Sequence, residues 1–392
     1  MAEDTEKRLQ GDIDQAEEIL SRTYGGKVEL ALGQATGLGE RAHVHRLAVL
    51  RGPAELGSGL IMKRPRNRER YKPAKPDGQT TRFLNEWAGL QFLQALCPTA
   101  PLAPRLYGGD RQAGILLLED FGPGSRLDHA VLGEDPGSAA KTMVALSTTL
   151  GRMHACSMGG QGRYNQIRRA LGPTVRANPF GPKDLQGIRQ SLAALALKPR
   201  RGFYKELAAL QQLVNKPGPF HAYIHSDPCP DNCHWVGPQL RLLDFEGGRY
   251  AHALTDGVYP RIHFPTCWCV GRIPDKIVLR AEEAYRSELS KGCPQAADDR
   301  LFGAATVGLC AFWAFAALKV RVPHFLAQKD SVQWGPAQQM IVLRLERTGA
   351  AAAEFGCFAA IGETAALLGA GLRKRWPDLG DMPYYPAFRA AD

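Results

Sequence analysis

The chain lacks long hydrophobic runs, repeats and a leader-like N-terminus. It has no uninterrupted run of about 18 apolar residues, so we expect no membrane-spanning helix. The run at 301–320 comes nearest, but glycine and alanine dilute it and Lys319 ends it, which predicts a buried core helix. The first twenty residues are charged and have no apolar segment, which favours a cytoplasmic location. No repeat of about 20–50 residues recurs, which argues against a solenoid.

Cysteine is sparse for a disulfide scaffold. Nine cysteines, an odd number, are scattered over 392 residues, which predicts reduced thiols. Zinc binding is an alternative for one group of residues. That group is Cys229, Cys233, His234, Cys267 and Cys269. Their spacing lacks the C-x₂-C pairs of structural zinc sites, so we favour small buried side chains and leave metal binding open.

Positive charge is in excess. The chain has 49 basic and 39 acidic residues, a net charge of +10, and residues 121–244 hold 15 basic against 8 acidic groups. A basic surface can attract nucleic acid or anionic membranes. The densest run, 63–75, contains one tyrosine and is broken by proline, which indicates a solvated loop. We therefore expect neither a nucleic-acid nor a membrane partner.

A second basic cluster lies further along the chain, and its role stays open between an anionic acceptor site and a polar helix face. Its members are Arg163, Arg168, Arg169, Arg176, Lys198, Arg200, Arg201 and Lys205.

The hydrophobic pattern predicts an α+β fold. Residues 12–24 place Ile13, Ala16, Ile19 and Leu20 on one helical face. The next predicted elements are three strands near 27–33, 43–52 and 58–65, a helix at 80–96, and two strands near 103–109 and 114–121. Beyond 122–124 the pattern is mainly helical. We predict two domains, a β-rich one at 1–120 that includes the N-terminal helix and a larger helical one at 121–392.

One short segment carries the chemistry. His225, Asp227 and Asn232 form the spacing H-x-D-x-x-x-x-N, and Asp244-Phe245-Glu246 follows after a short strand pair. Phosphoryl transfer needs a carboxylate at the acceptor hydroxyl, and an amide and a second carboxylate to hold Mg²⁺. The set therefore predicts a kinase-like site.

These motifs resemble those of the aminoglycoside phosphotransferase/choline kinase family over about residues 28–265. The resemblance implies a protein-kinase-like two-lobe fold that uses ATP and Mg²⁺. It implies that Asp227 is the catalytic base, that Asn232 and Asp244 bind the metal, and that His225 and Glu246 are supporting residues. Protein kinases have Gly where this chain has Glu246 and Arg where it has Ser226, so the departures favour a small-molecule kinase.

The nucleotide-binding residues are expected in the first domain. Lys63 lies on the third predicted strand, directly after its apolar residues, and would hold phosphate, with Glu86 on the next helix as its partner. Glu119 and Phe121 fall where the family has its inter-lobe hinge, which contacts adenine. A plain strand end is the alternative there. The glycines at 33, 37 and 39 allow the backbone to approach phosphate, although a glycine-rich hairpin turn is the commoner explanation.

We predict an ATP-dependent phosphotransferase acting on a hydroxyl of a small molecule, such as a sugar, amino alcohol, nucleoside or antibiotic. The alternative is an inactive nucleotide-binding pseudokinase or scaffold of the same fold. Arg261, His263 and Trp268 combine polar heads with a flat apolar face and are candidates for the acceptor pocket. The competing interpretation places this segment in the core. The sequence leaves the oligomeric state open.

Overall fold

The chain divides into two compact units in a computed structural model that describes residues 2–33, 44–65, 67–174, 179–319 and 336–389. The smaller unit comprises Met1–Gly124, Gly162–Arg176 and His234–Gly248. The larger unit comprises Ser125–Gln161, Ala177–Cys233 and Arg249–Asp392. The assignment of nucleotide binding to 1–120 and of catalysis and acceptor binding to 121–392 stays a prediction.

The smaller unit is built on an antiparallel sheet. Its strands are β1 (Glu29–Leu32), β2 (Val44–Arg51), β3 (Gly59–Lys63), β4 (Leu106–Asp110) and β5 (Ile115–Glu119), in the spatial order β1-β2-β3-β5-β4. Its helices are α1 (Ala2–Tyr24), α2 (Gly78–Leu96) and most of α5 (Gln161–Leu171). Asp77 caps α2, because its carboxylate accepts the Thr80 N–H at 2.7 Å.

The core of the smaller unit lies between α1 and the sheet. Ile13, Ala16, Ile19 and Leu20 are all buried there, as the helical pattern predicts, against apolar side chains of the strands. Strand β3 is central in this sheet, with β2 on one side and β5 on the other. A residue at the end of a central strand is held rigidly, and Lys63 occupies that position.

The larger unit is mainly helical. Its helices are α3 (Leu127–Leu132), α4 (Pro136–Ser157), α6 (Pro182–Ala194), α7 (Phe203–Asn215), α8 (Leu254–Gly257), α9 (Asp275–Ser290), α10 (Asp299–Ala316), α11 (Pro336–Phe355) and α12 (Ala359–Arg375). Its paired strands are β6 (His221–Ile224) and β9 (Arg249–His252), which run antiparallel. A second strand pair, β7 (Cys233–Val236) and β8 (Gln239–Leu242), follows the candidate catalytic loop in sequence and belongs, from His234 onward, to the smaller unit.

Two glycines allow a close approach that positions polar groups in the larger unit. A Cβ on Gly151 of α4 would lie 2.6 Å from the carbonyl oxygen of Tyr285 in α9. A Cβ on Gly257 of α8 would lie 2.6 Å from the Tyr285 ring. Both contacts are far below van der Waals distance, so a side chain at either glycine would push Tyr285 away from its neighbours.

The predicted α+β class is confirmed by the N-terminal antiparallel sheet and the mainly helical remainder. Residues 301–316 of the apolar run lie in helix α10, whose residues are largely buried, as predicted, and a 3₁₀ turn follows at Ala317–Lys319. Within the part of the chain that the structure describes, no helix is both long and apolar enough to cross a membrane.

Candidate functional site

Lys63 lies between two carboxylates in the smaller unit. Its ammonium group donates to Glu86 Oε1 at 2.8 Å and to Asp244 Oδ1 at 2.7 Å. Glu86 comes from α2, and its side chain is only 4% exposed, whereas that of Asp244 is 38% exposed. The predicted partnership of Lys63 with Glu86 is thus present, and Asp244 joins it.

Burial and charge act against each other in this cluster. Burial tends to lower the pKa of Lys63, but Glu86 and Asp244 outweigh it and hold that pKa above its ordinary value. Burial raises the pKa of Glu86, and Asp244 adds to this effect while Lys63 opposes it. Lys63 is therefore cationic at neutral pH, in contact with two acidic groups that repel each other.

The local backbone explains the exposure of Asp244. Asp244 adopts the left-handed conformation, with φ 63° and ψ 62°, immediately before a short 3₁₀ turn at Phe245–Gly247. Phe245 is fully buried and anchors this turn. Glu246 lies 3.8 Å from Arg82 of α2 in a partly exposed ion pair. In the segment Asp244-Phe245-Glu246, the buried Phe245 side chain therefore fixes the turn, while the Asp244 carboxylate stays partly exposed to solvent.

Arg168 was assigned to a basic cluster by sequence, yet it is only 3% exposed. Its Nε donates to Asn85 Oδ1 at 2.7 Å, and its Nη1 donates to the Gly172 carbonyl at 3.2 Å. Asn85 precedes Glu86 on α2, so this buried arginine braces the helix at the acidic partner of Lys63. No local sequence signal distinguishes it from its exposed neighbours.

Glu119 and Phe121 lie at the end of β5. The Glu119 carboxylate pairs with Arg241 at 3.0 Å. The main-chain N–H of Glu119 donates to the Arg105 carbonyl at 2.9 Å. The Arg241 guanidinium also lies 5.5 Å from the centre of the Phe121 ring. These contacts fix the segment in place. The adenine-contacting role predicted for it stays a prediction.

In the larger unit, a buried aspartate holds the loop after β6. Asp256 is fully buried. Its Oδ2 accepts the His225 N–H at 2.6 Å, and its Oδ1 accepts the Ser226 N–H at 3.0 Å. The ring of His154 approaches Asp256 at 3.4 Å and Tyr285 at 2.9 Å. Asp256, which lies in α8, therefore holds the candidate catalytic loop through these two hydrogen bonds.

Ser226 is held at each of its polar groups. Besides the bond from its N–H to Asp256, its carbonyl accepts the Tyr259 hydroxyl at 2.9 Å, and its Oγ accepts from Arg249. Ser226 has φ 76°, a left-handed conformation that costs an ordinary residue about 1–3 kcal/mol. These contacts stabilise the conformation and so direct the next residue, Asp227.

The loop folds back on the main chain of Asp227. The Cys229 N–H donates to the Asp227 carbonyl at 2.8 Å, and Asn232 Nδ2 donates to the same carbonyl at 2.9 Å. The Asp227 N–H donates to Nδ1 of buried His225 at 3.3 Å. His225, Asp227 and Asn232 therefore form one hydrogen-bonded turn.

The side chain of Asp227 contacts a segment that sequence reasoning did not connect with it. The Thr266 hydroxyl donates to Asp227 Oδ1, and Cys229 Sγ lies 3.0 Å from the same oxygen. Cys229 is bonded to Cys267 in a disulfide whose Cα atoms are 5.5 Å apart, within the usual range. Because a disulfide sulfur carries no proton, the contact with Asp227 is not a hydrogen bond in this state.

The prediction that all nine cysteines are reduced thiols is therefore wrong for this pair. Its physical reason is tertiary, because the loop at 229 and the segment at 267 are 38 residues apart in sequence but adjacent in space. The other seven cysteines are free thiols. In the described ranges, no three or more His, Cys, Asp or Glu side chains form a group that could hold a metal ion.

The three candidate acceptor residues have different environments. Arg261 is 5% exposed and pairs with Glu282 at 2.6 Å and with Glu354 at 2.7 Å. His263 is buried, and its Nδ1 accepts the Ile273 N–H at 3.0 Å. Trp268 is 59% exposed, and its Nε1 donates to Asp231 Oδ2 at 3.0 Å. Only Trp268 presents a large surface to solvent.

The glycine-rich loop is only partly covered, because Gly37 and Gly39 lie outside the described residues. Gly33 is covered, and its N–H donates to the Arg46 carbonyl at 2.9 Å. The basic cluster at 163–205 is divided between the two units, and its Arg176 also lies outside the described residues.

A partly buried lysine between two carboxylates and an H-x-D-x-x-x-x-N turn are features of the phosphotransferase class. The model of the phosphotransferase enzyme family, APH, matches residues 48–264, which is more than half of the chain. The chain belongs to this family, and the resemblance inferred from its motifs is confirmed.

Solved structures of similar fold include three bacterial proteins, each 14% identical to this chain. They are the choline kinase LicA of Streptococcus pneumoniae (89% of this chain and 99% of that chain covered, TM-score 0.42), a choline/ethanolamine kinase family protein of Mesorhizobium loti (90% and 99%, 0.44) and a putative aminoglycoside phosphotransferase of Ralstonia eutropha (90% and 96%, 0.43). No curated protein sequence matches the chain. Similarity at this level assigns neither a substrate nor an activity.

Two buried histidines predict acid sensitivity. Burial lowers the pKa of His252 to about 3, with smaller effects from His154 and His221. Burial, together with nearby arginines, lowers the pKa of His263 to about 3. Unfolded histidine titrates near 6.5, so the unfolded chain binds more protons between about pH 6.5 and 3. We expect the free energy of unfolding to fall by about 1.4 kcal/mol per pH unit for each histidine in that window.

Urea denaturation at pH 7, 6 and 5, for wild type and His263→Asn, measures this effect. The variant should be less stable at pH 7, because the ring is buried, but its stability should decline less steeply with acid. An unchanged slope in the variant would show that His263 does not titrate on unfolding.

Proposed function

We propose that the chain transfers the γ-phosphoryl group of ATP to a hydroxyl of a small molecule. The observation that carries the proposal is the contact of Lys63 with Glu86 and Asp244, because phosphotransferases need such a cation where nucleotide phosphates bind. Membership of the phosphotransferase family supports the same conclusion. A pseudokinase usually loses one of the required groups, whereas Lys63, Glu86, Asp227, Asn232 and Asp244 are all present.

In this proposal Asp227 accepts or orients the proton of the acceptor hydroxyl. The main-chain turn at 225–232 and the contacts of Ser226 favour this role, because they fix the direction of the Asp227 side chain. A base held in one orientation loses little entropy when the acceptor binds. His225 acts indirectly, through its bond to the Asp227 N–H.

Mg²⁺ fits the donors that the chain offers. Asp244 supplies carboxylate oxygens and Asn232 an amide oxygen, and the Asn232 amide nitrogen is already bonded to a carbonyl. Hard oxygen donors of this kind suit Mg²⁺, which keeps several waters and phosphate oxygens as further ligands. When bound, the ion would neutralise phosphate charge. Glu246 would support the Asp244 turn through its ion pair with Arg82.

The acceptor is proposed to be a small hydroxyl compound that contacts Trp268, the exposed member of the predicted acceptor group. Arg261 and His263 are proposed to hold this segment in place without touching the acceptor. Both are buried and already have partners, since Arg261 pairs with Glu282 and His263 accepts the Ile273 N–H. We place the protein in the cytoplasm, without a nucleic-acid or membrane partner. ATP is proposed to contact Lys63 and the β5 end at Glu119 and Phe121.

Asp227→Asn tests the base. The amide keeps the shape of the side chain but cannot accept a proton, so ADP release with acceptor should fall by about 10²–10⁴-fold. ATP binding, followed by calorimetry, should be nearly unchanged. The assay is coupled ADP release over a panel of glucose, choline, ethanolamine, adenosine and streptomycin.

The matched control is Asp299→Asn at the exposed start of α10, where the side chain is 92% exposed. It should behave like wild type. Turnover by Asp227→Asn at a rate within a few-fold of wild type would remove Asp227 from the mechanism. A wild-type protein that binds ATP but turns over nothing would favour the pseudokinase alternative.

Glu86→Gln tests the lysine partnership. The change removes one of the two charges that hold Lys63, and hydrogen bonds to charged groups contribute about 1.5–3 kcal/mol. We therefore expect the Kd for Mg²⁺-ATP to rise roughly tenfold or more, measured by calorimetry. Glu29→Gln is the control, since its exposed pair with Lys27 is worth about 0–1 kcal/mol. Equal effects of both changes would contradict the special role of Glu86.

Trp268→Ala tests the proposed contact with the acceptor, and Arg261→Ala tests the proposed structural role of the buried arginine. Trp268→Ala should raise the KM for acceptor and leave the KM for ATP and the melting temperature unchanged. Arg261→Ala leaves Glu282 and Glu354 without their partner, so it should cost about 3–5 kcal/mol of stability. Thermal melts beside Michaelis curves for both substrates measure this. A large melting decrease in Trp268→Ala would instead identify it as a structural residue.

A further inference from the structure

Three consecutive residues of the larger unit contact alternate residues of the catalytic loop. Thr266 donates to the Asp227 carboxylate, Cys267 is bonded to Cys229, and Trp268 donates to Asp231. We call residues 266–268 the clamp segment. Its central contact is covalent and its two outer contacts are hydrogen bonds, so the disulfide holds the clamp segment against the loop between them.

The clamp segment occupies the oxygen that catalysis needs. The Thr266 hydroxyl and Cys229 Sγ both lie against Oδ1 of Asp227. In phosphotransfer the acceptor must place its own hydroxyl on this carboxylate. Thr266 therefore offers Asp227 the same group, a hydroxyl donor, that the acceptor offers, and it does so from within the protein.

The disulfide is accessible from one side. Cys229 is buried, with 4% exposure, whereas Cys267 is partly exposed between the exposed residues Thr266 and Trp268. A thiolate from solvent reaches the Cys267 sulfur first. Exposed disulfides are the labile ones, and disulfides of cytoplasmic proteins are usually transient or redox-sensing.

We propose that Cys229 and Cys267 form a reversible dithiol–disulfide site that controls access of the acceptor to Asp227. The disulfide form is the inhibited one, because it holds Thr266 on the base. The dithiol form is active, because the Thr266 hydroxyl can leave Asp227 and the acceptor hydroxyl can take its place. This inference rests on the proposed phosphotransfer at Asp227.

The switching reaction requires a dithiol reductant. One thiolate of the reductant attacks the Cys267 sulfur, the S–S bond breaks, and Cys229 leaves as a thiolate that takes up a proton. The second thiolate of the reductant then displaces Cys267, which is protonated in turn. Two electrons pass to the protein disulfide, the reductant becomes a disulfide, and two protons move from the reductant to the two cysteines.

The first measurement establishes the bond. Protein purified without reductant, or treated with oxidised dithiothreitol, is digested without reduction and analysed by mass spectrometry. We expect a linked pair of peptides containing Cys229 and Cys267, which dithiothreitol separates. Failure to form this link under either condition would overturn the proposal.

The second measurement is coupled ADP release from Mg²⁺-ATP with choline, ethanolamine or streptomycin, and with water as the simplest acceptor. A positioned base contributes about 10²–10⁴-fold, so we expect dithiothreitol to raise kcat/KM for the acceptor roughly tenfold or more. The KM for ATP should not change. Activity that is unaffected or lowered by reduction would refute the inhibitory role of the disulfide.

Variants assign the effect to the clamp segment. Cys267→Ser should be active in both redox conditions. Thr266→Val should relieve inhibition of the disulfide form, while Thr266→Ser, which keeps the hydroxyl, should not. Cys156→Ser, at an exposed cysteine of α4 that is not disulfide-bonded, is the matched control and should keep the wild-type redox response. A loss of activity in Thr266→Val would mean that Thr266 orients the base for catalysis.

Hydrogen exchange separates this proposal from the proposed function. Reduction should speed exchange of the backbone amides at 266–269 and 229–232, whether or not any acceptor is turned over. If neither the wild type nor any variant releases ADP in either redox state, phosphotransfer is refuted. If amide exchange at 266–269 and 229–232 is the same before and after reduction, the switch is refuted as well.

Discussion

The buried carboxylate of Asp256 is the constraint on which the candidate catalytic loop depends. It takes two successive main-chain N–H groups, from His225 and Ser226. A buried carboxylate without partners is very unfavourable, so these bonds cannot be lost separately from the surrounding helices. His154 and Tyr285 complete the network. The left-handed conformation of Ser226, and with it the direction of Asp227, follows from satisfying one buried acid.

In the smaller unit the central charged group is a cation, and it contacts two carboxylates instead of one. Lys63 carries one positive charge and contacts both Glu86 and Asp244. One cation between two carboxylates leaves a net negative charge if both are ionised; the pKa of Glu86 is raised mainly by burial, and the nearby Asp244 adds to that effect. Asp244 is the more exposed acid, which agrees with its proposed role in holding Mg²⁺. This asymmetry supports separate roles for the two carboxylates, one structural and one for the metal.

The sequence predicted those parts of the protein that are encoded locally. The apolar face of α1 and the position of Lys63 at the end of β3 follow from periodicity, and the 225–232 turn follows from its motif. The contacts made by Thr266 and Cys267 could not be predicted, because they join segments 38 or 39 residues apart. The same limit applies to Arg261, whose polar head is occupied by Glu282 and by Glu354, 93 residues away. A local pattern shows that a side chain is polar, but not whether another part of the chain already satisfies it.

The two ends of the catalytic turn are therefore held in physically different ways. On the side before Asp227, Ser226 is fixed by a carboxylate, a phenol and a guanidinium that are all part of the folded unit. On the side after it, Cys229 is fixed by a covalent bond to a segment with two exposed residues. The contacts of Ser226 change only when the unit unfolds. The Cys229–Cys267 bond, in contrast, is broken by a reduction that takes two electrons and two protons. In the proposed switch, Asp227 keeps its orientation in both redox states, and what changes is the group that lies against its carboxylate.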